Sequence, residues 1–582
     1  MSERGIFVTQ QHWLDRYGKG YHAWRRDGKG ERWSRPCGLY EAKFDADGQY
    51  GCGRADISEL LTIGLTTRLS GPALRHHVLL AFTLLRLQHS LLRGRAEQRA
   101  LGPWFSVDVP ATADSAIRDA ATAMSFPDFL GGEELDLRDL LTHSLNVRRI
   151  LNPSEALARV FVLPVEREEK EGSTRKTLRV MFVLAHEIVD GLSVVRWLWH
   201  FVTLLNMSTA QIRREIEKSV RPESVFACLP PAQEDLFGPV APTKARTRWF
   251  WAITVILRHV KKPPPPALPN PLRRATPLPA PRPFKPKYTK MFDYSQTPPL
   301  NTLTARVRLS PAASQRLFRL CKEAKASVGA GGFALVAMAM MAMHEAEKPA
   351  EAADEQRPFR TSFPLNPRPF IEGAATSDGV VLAAAPGLAL PFLSSRLDLE
   401  GRFRLLARQA SRQLAAYQKR DKKALQARST AEAARYMGIG GPGRLIASNY
   451  IDGIERLRGR LPSHLREAIS SPQTKYEAAA FDLSQVTCEV SSMGKVDFSA
   501  MQRDLNTDPG ADGVIASVEG LMNVCRARET EFGVATLSQD GIMQAEISFD
   551  ANVIDEDRVP AWLEKMRSLL EVPGQSDPKS RL

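Results

Sequence analysis

A proline-rich stretch near the middle of the chain is the feature that most constrains its fold. Eleven prolines fall between Pro263 and Pro286, within the sequence KKPPPPALPNPLRRATPLPAPRPFKPK. Proline fixes φ and lacks an amide donor, so this stretch cannot form the interior of a helix or a sheet. We expect an extended, solvated connector. It divides a chain of 582 residues into two halves, each long enough to bury a core of its own.

The same region carries most of the net charge of the chain. Residues 241–290 contain twelve lysines and arginines and no acidic residue. Removing these twelve charges from the formal net charge of +14 leaves +2 for the rest of the chain. A nucleic-acid-binding protein carries basic residues across a folded face. We therefore expect no nucleic-acid partner.

An apolar run from Trp249 to Leu257 precedes the prolines and has basic residues on both sides. It is far shorter than the ~20 residues that cross a bilayer. A helix packed on the N-terminal half is the favoured interpretation, and an interfacial anchor with tryptophans at headgroup depth is the alternative. Weak contact with a membrane surface through residues 246–290 is thus one expectation, beside a default role of the connector as a passive spacer.

The N-terminal residues and the cysteines indicate a reducing compartment. The first twenty residues, MSERGIFVTQQHWLDRYGKG, lack the unbroken apolar segment of a secretion signal. Six single cysteines without a Cys-x-x-Cys pair favour neither a disulfide framework nor a zinc site. We expect a cytoplasmic protein, free or peripheral to a membrane, with no bound metal.

Helical and strand patterns are mixed in both halves of the chain. In the first half, helical spacing at 70–95 and 191–206 flanks a near-continuous apolar run at 177–186, typical of a strand covered on both faces. The second half repeats the mixture, with helices at 309–327, 329–347 and 555–572 and strands within 359–370, 481–498 and 532–550. The sequence predicts two mixed α/β halves of similar size.

One histidine carries the pattern His-x-x-x-Asp-Gly, formed by His186, Asp190 and Gly191 in AHEIVDG. None of the other ten histidines is followed by Asp four residues later. The motif follows a predicted strand and precedes a helix whose N-terminal amides point toward the same place. A neutral imidazole can take a proton from an alcohol or amine, so His186 is a candidate general base. The alternative is a buried histidine beside an ordinary Asp-Gly turn, and Asp190 could either orient the imidazole or bind a cation.

Three further stretches, in this order along the chain, strengthen the catalytic interpretation. They are LQHSLLRGR at Leu87–Arg95, FPLNPRPF at Phe363–Phe370 and EVSSMGKVDF at Glu489–Phe498. Together with AHEIVDG they resemble motifs of the chloramphenicol acetyltransferase-like superfamily. This superfamily includes BAHD acyltransferases, alcohol acetyltransferases, fungal trichothecene-type acetyltransferases and the condensation domains of peptide synthetases.

Within these stretches, several individual residues match positions of the superfamily motifs. His89 and Arg93 fall on its His-x-x-Leu-Arg segment, and Asn366 and Arg368 fall on its Asn-x-Arg strand. Two departures narrow the resemblance. Ala185 stands where many members have a first histidine, and DFSAM at 497–501 is the nearest stretch to the Asp-Phe-Gly-Trp-Gly of plant BAHD enzymes. The resemblance is nearest to fungal alcohol or trichothecene acetyltransferase-like members.

The resemblance implies an α/β fold of two similar chloramphenicol acetyltransferase-like domains. They would form a pseudo-dimer with the active-site tunnel at their interface. Residues 1–245 would be an N-terminal acyltransferase domain that carries the His-x-x-x-Asp-Gly motif. Residues 246–298 would be the apolar segment and basic proline-rich crossover connector, and residues 299–582 a C-terminal acyltransferase domain.

The resemblance also implies roles for the motif residues. His186 would be the general base, while Asp190 would point away from it and pair with Arg93 and Arg368 in a structural role. The Gly191 amide and the hydroxyl of Ser491 or Ser492 are candidate oxyanion donors. Ser492 stands where the superfamily usually has Asn.

The predicted function is acyl transfer from acyl-CoA to a hydroxyl or amine of a small-molecule acceptor, in secondary metabolism. Acyl-CoA would be a co-substrate, with no bound cofactor, and the chain a monomer. One alternative is a carrier-protein-dependent condensation enzyme that forms an amide or ester. Another is a non-catalytic binding protein with the same fold.

Overall fold

The computed structural model describes most of the chain. The described residues are 13–18, 20–100, 102–128, 135–167, 175–241, 243–260, 265–347, 357–368, 371, 378–384, 387–418, 442–467, 469–472, 485–496 and 513–571.

The described residues include fourteen α-helices. They are α1 Leu39–Tyr50, α2 Gly71–Gln88, α3 Ala113–Ala123, α4 Leu137–Ser144, α5 Gly191–Leu205, α6 Thr209–Ser219, α7 Pro222–Ala227, α8 Lys244–Val260, α9 Pro311–Glu323, α10 Val328–Glu347, α11 Leu399–Gln418, α12 Pro442–Arg460, α13 Ser463–Arg466 and α14 Val559–Ser568. Two short 3-10 helices span Ser90–Arg93 and Gln233–Leu236.

Strands form in both halves. They are β1 Arg25–Arg26, β2 Arg32–Pro36, β3 Ile57–Thr66, β4 Arg95–Arg99, β5 Gly102–Asp108, β6 Met124–Ser125, β7 Ala158–Val162, β8 Glu166–Arg167, β9 Arg175–Leu184, β10 Thr302–Arg308, β11 Phe359–Ser362, β12 Pro364–Leu365, β13 Ala383–Ala384, β14 Leu388–Leu390, β15 Cys488–Val496, β16 Ile515–Cys525, β17 Phe532–Gln539 and β18 Ile542–Asp550.

Each half is built on a six-stranded sheet with its own apolar core. The first sheet has the order β16-β3-β9-β7-β6, with β8 beside β9, and the second has the order β10-β18-β17-β15-β11-β14. A four-stranded sheet, β1-β2-β5-β4, and the pair β12-β13 complete the strands of the described residues. The predicted architecture of two mixed α/β halves is confirmed.

The strand and helix that flank the histidine motif are buried for the reason the sequence indicates. The apolar run of β9 is covered on both faces, and its residues from Val180 to Leu184 are all at most 3% exposed. Helix α5 turns Trp197, Phe201 and Leu205 inward, at helical spacing. These two elements fix the turn between them in the core of the first half.

Among the described helices, α10 is long and apolar enough to cross a bilayer, but 72% of its most apolar window is buried within the protein. It packs in the core of the second half, where residues such as Phe333 and Met338 are at most 2% exposed. Burial on all sides explains its nearly continuous apolar sequence.

A strand of the second half completes the sheet of the first. Strand β16 pairs antiparallel with β3, with Cys525 opposite Ile57 and Ile515 opposite Thr66. The side-chain amide of Asn206, which caps α5, donates to the Ala516 carbonyl at 3.0 Å and accepts from the Ala516 amide at 2.9 Å. Residues 299–582 therefore supply part of the first sheet as well as the whole of the second.

The proline-rich connector forms no regular secondary structure over its described residues, as its composition predicts, but it is not simply solvated. Residues 265–300 contain no helix or ladder strand, yet Leu268, Leu272, Tyr288 and Phe292 are at most 4% exposed. The expectation of a solvated connector is wrong because these apolar side chains, spaced between the prolines, pack into the cores of both halves.

Candidate active site

A cavity of about 320 Å³ lies where the two halves meet. The first half contributes Phe44, His186 and Gly191 to its wall, and the second half contributes Phe363 and Ser491. Seven charged residues also line it: Lys43, Arg456, Arg460, Glu489, Arg528, Glu531 and Glu546. The volume lies at the small end of the ~300–1,000 Å³ typical of small-molecule sites. The predicted motif therefore faces a space that both halves enclose.

His186 lies in the turn between β9 and α5. Strand β9 ends at Leu184 and helix α5 begins at Gly191. The Ile188 amide donates to the Ala185 carbonyl at 3.1 Å, which closes the turn around the histidine. The main chain on both sides is buried, so the position of the imidazole is set by core packing.

The surroundings of His186 favour a neutral ring. The imidazole stacks on Phe44, with ring centroids 3.9 Å apart and planes 4° apart. Burial lowers the pKa of His186 to about 4, and the positive charges of Arg528 and Lys43 act in the same direction. Its own backbone carbonyl opposes the shift. A ring that is neutral at physiological pH can accept a proton, as a general base must.

Asp190 anchors the helix that follows the histidine. One carboxylate oxygen accepts the amides of Leu192 and Ser193 at 3.1 and 3.0 Å, which caps the N-terminus of α5. The other accepts from the Arg368 guanidinium at 2.7 Å and from the Val381 amide at 3.0 Å. The Asp190 carboxylate thus holds both the N-terminus of α5 and the guanidinium of Arg368.

Arg368 joins the two halves beside the motif. Its Nη2 also donates to the Ser193 hydroxyl at 2.9 Å and to the Gly379 carbonyl at 3.1 Å. The Asn366 side chain accepts from the Arg368 amide at 3.1 Å and so fixes the local backbone. The structure therefore brings Asp190 and Arg368 together, as the resemblance implies.

Arg93 does not take part in this arrangement. Its Nη1 donates to the Asp108 carbonyl at 2.5 Å, because the 3-10 helix that it ends packs on β5. Burial and the neighbouring Arg86 lower the pKa of Arg93 to about 10. The predicted pairing of Arg93 with Asp190 is wrong. In the described part of the chain, the donors to the Asp190 carboxylate come from α5 or from the second half.

His89, the other residue of the His-x-x-Leu-Arg match, also holds the halves together. Its Nδ1 lies 2.5 Å from a carboxylate oxygen of Asp378, and its Nε2 lies 2.8 Å from Nδ1 of His200. The indole of Trp197 donates to the second oxygen of Asp378 at 3.3 Å. Asp378 begins the described segment 378–384, so this cluster fastens that segment onto α5.

The three candidate oxyanion donors are placed differently. Gly191 and Ser491 line the cavity. Ser492 does not line it and instead approaches the start of α10, where a Cβ atom on Gly329 would lie 2.8 Å from the Ser492 hydroxyl. Neighbouring residues on a strand point to opposite sides, so of the two serines Ser491 is the one on the cavity wall. The DFSAM stretch at 497–501 lies outside the described residues.

The charged residues of the cavity wall were not anticipated from the sequence. Lys43 pairs with Asp47 at 2.9 Å and lies 4.0 Å from the centre of the Phe44 ring. Burial lowers the pKa of Lys43 to about 7. Across the cavity, burial and the neighbouring Glu489 raise the pKa of Glu531 to about 8, although Arg528 opposes the shift.

Helix α1 shows why these residues were missed. Its sequence, LYEAKFDADGQY, has no apolar stripe, yet all residues from Leu39 to Gly48 are buried. The i,i+4 spacing of Lys43 and Asp47 is the one local signal of their pairing. Apolar periodicity, which finds most buried helices, gives no sign of this one.

A buried carboxyl follows the histidine in the sequence. Glu187 is fully buried, and burial together with the adjacent Asp45 holds the pKa of Glu187 well above its ordinary value. Two neighbouring carboxyls in a dry site cannot both ionise at low cost. Burial and Asp45 therefore favour the protonated form of Glu187.

Comparison with known proteins identifies the fold but finds no match by sequence. No protein-family model matches the chain, and no curated protein matches it. Among solved structures, the trichothecene 15-O-acetyltransferase from Fusarium sporotrichioides superposes with a TM-score of 0.62 at 13% identity, covering 94% of this chain and 98% of that chain.

Two peptide-synthetase domains also superpose over nearly their whole length. The epimerization domain from the third module of tyrocidine synthetase B has a TM-score of 0.51 at 12% identity and covers 94% of this chain and 97% of its own. The first condensation domain of the CDA synthetase has a TM-score of 0.51 at 12% identity, with coverage of 92% and 97%. The chain therefore has the two-lobed fold of these acetyltransferase and condensation-type structures, as the resemblance in its motifs implies.

Proposed function

We propose that this chain is an acyltransferase that moves an acyl group from acyl-CoA to a hydroxyl or amine of a small acceptor. The observation that carries the proposal is His186, a ring held neutral by its surroundings on the wall of an interdomain cavity. General-base catalysis requires such a group within reach of the proton it removes. The likeness of the fold to an O-acetyltransferase supports a hydroxyl acceptor.

The reaction needs no acyl-enzyme. His186 takes the proton of the acceptor O–H or N–H as the acceptor attacks the thioester carbonyl, and a carbon–oxygen or carbon–nitrogen bond forms. The carbon–sulfur bond then breaks, and the imidazolium returns its proton to the thiolate, so that free CoA thiol leaves. The Gly191 amide and the Ser491 hydroxyl, whose residues line the cavity, would stabilise the oxyanion of the tetrahedral intermediate.

The test is acceptor-dependent release of CoA thiol from acetyl-CoA and longer acyl-CoAs, with a panel of alcohols and amines. Wild type is compared with His186→Ala and with His464→Ala, a matched change at an exposed histidine. We expect release by wild type and His464→Ala and none by His186→Ala. Undiminished release by His186→Ala, with the product confirmed by mass, would overturn the assigned base.

A carrier-bound donor is the second candidate, and the likeness to a condensation domain favours it. In that case an acyl-CoA alone supports no turnover, whereas an acylated carrier protein yields an amide or ester. The same panel with a carrier thioester separates the two donors. Binding of an acceptor without turnover from either donor would assign the chain to the non-catalytic alternative.

A further inference from the structure

Helix α8 has one face that belongs to the fold. Trp251 is 4% exposed and meets Trp13 and Tyr17 edge to face, with ring centroids 5.4 and 5.0 Å apart. Near the other end, Arg258 pairs with Asp452 of α12 at 2.7 Å. These contacts hold the helix against the protein, as the favoured interpretation of its apolar run predicts.

The opposite face of α8 is apolar and exposed. Trp249 is 67% exposed, Ile256 is 55% exposed and Val260 is 67% exposed. Ala245 and Ala252 are also exposed. These five residues are spaced by three or four, so they form one continuous stripe along the helix. We call it the α8 stripe.

The positive charges beside the α8 stripe have no ion-pair partner in the described part of the chain. Lys244, Arg246 and Arg248 are exposed, and none of them forms an ion pair with any residue that the structure describes. The helix contains no acidic residue. The α8 stripe is therefore bordered by three available cations at its N-terminal end.

Several other charges of the basic region form ion pairs within the fold. Arg274 pairs with Glu556, Arg282 pairs with the same carboxylate at 3.2 Å, and Lys287 pairs with Asp139 at 2.6 Å. Arg274, Arg282 and Lys287 thus fasten the connector to the fold, whereas Lys244, Arg246 and Arg248 remain beside the α8 stripe. A general excess of charge along the connector does not explain this arrangement.

We propose that α8 docks the protein on a bilayer that contains anionic lipid, with the α8 stripe in the headgroup region. A tryptophan and aliphatic residues on one face, with lysine and arginine beside them, are the features that hold a helix in the plane of an interface. Anionic headgroups attract the three cations. A second copy of this chain fits the surface less well, because its own α8 contains no acidic residue that could pair with these cations.

The proposal is tested by sedimenting the full chain with vesicles of phosphatidylcholine alone and of phosphatidylcholine with phosphatidylserine. We expect binding to the anionic vesicles that weakens as salt is raised. The double variant Arg246→Gln, Arg248→Gln should bind at least about tenfold more weakly, since each basic residue near the surface adds to the attraction. The double variant Trp249→Ser, Ile256→Ser should lose binding.

The matched control is Leu397→Ser, Leu405→Ser, which removes two exposed apolar side chains of the second half, 54% and 43% exposed. It should bind as wild type does, and melting curves check that every variant is folded. Wild-type binding by the Trp249, Ile256 variant would overturn the role of the α8 stripe. Equal binding to both kinds of vesicle would overturn the role of anionic lipid. If the wild type forms a dimer and does not bind vesicles, and the Trp249, Ile256 variant is a monomer, the surface would be assigned to a second copy.

Discussion

The ring of Phe44 lies parallel to the imidazole of His186, with centroids 3.9 Å apart and planes 4° apart. Phe44 comes from a helix early in the chain, and the stack covers one face of the proposed base. It excludes water from that face and limits rotation of the ring. The orientation of the His186 ring thus depends on Phe44, which is not part of the His-x-x-x-Asp-Gly motif.

Replacement of Phe44 by alanine should lower kcat far more than it changes KM. A misplaced catalytic group can cost about 10²-fold in rate, and we expect a loss of that order for Phe44→Ala. Steady-state kinetics with the best acceptor from the panel measure it. The control is Tyr50→Ala, which removes a 40% exposed aromatic ring from the same helix. Equal losses for both variants would contradict a specific role of the stack.

The pH dependence of kcat/KM should report the lowered pKa of His186. The base must be neutral, so activity is retained at neutral pH and lost as pH falls through about 4. Lys43→Met removes a nearby positive charge and should move this acid limb to higher pH, whereas Lys29→Met, at an exposed site, should not. Circular dichroism checks folding at each pH. A wild-type limb centred near the ordinary histidine value of ~6.5 would show that burial does not control the base.

Loss of either partner of the Asp190–Arg368 pair should destabilise the whole protein. Removal of one member leaves a buried charge without compensation, which costs about 3–5 kcal/mol. We expect Asp190→Ala and Arg368→Ala each to lower the free energy of unfolding in urea by that amount and to reduce folding yield as well as activity. Asp114→Ala, at an exposed site, is the control. An unchanged melting curve with lost activity would show that Asp190 acts in the chemistry and not in the architecture.

Ser491 and Ser492 offer a matched pair of alanine variants. Ser491 lines the cavity and Ser492 does not, so only Ser491→Ala should slow acyl transfer. Removal of one oxyanion donor costs about 10²–10³-fold in kcat when that donor is well placed. We expect a large loss for Ser491→Ala and near wild-type rates for Ser492→Ala. The reverse order would place the oxyanion site on the other side of β15.

Glu187 should make stability fall as pH rises. Its pKa is raised in the folded protein, so the folded state binds the proton more tightly than the unfolded state does. This contribution is complete below the unfolded value of about 4.3, and it is lost as pH rises through the folded value. Urea unfolding at several pH values should show a smaller loss for Glu187→Gln than for wild type. Glu217→Gln, at an exposed site, should follow wild type, and an unchanged slope in Glu187→Gln would refute a buried neutral acid.

The sequence alone located the proposed base, His186, and the strand, turn and helix around it. The continuous apolar run of β9, the turn with Asp-Gly and the helical spacing after it are properties of adjacent residues, and local periodicity determines such elements directly. The same holds for the connector, where proline excludes helix and ladder through its own ring. The Asn-x-Arg match also identified Arg368 as a partner of Asp190, although that inference rested on resemblance and not on spacing.

Only the tertiary structure decided which distant residues meet. The partner of Arg93, the choice of Ser491 over Ser492 and the addition of β16 to the first sheet depend on how the two halves pack. The polar helix α1 is buried because its charges find partners. Lys43 pairs with Asp47 on the same helix, and Asp47 in turn pairs with Arg460 of α12 at 3.1 Å. The spacing of apolar residues in a short stretch indicates only whether that stretch is a helix or a strand. Pairing between elements far apart in the chain is determined by distances that only the packed fold establishes.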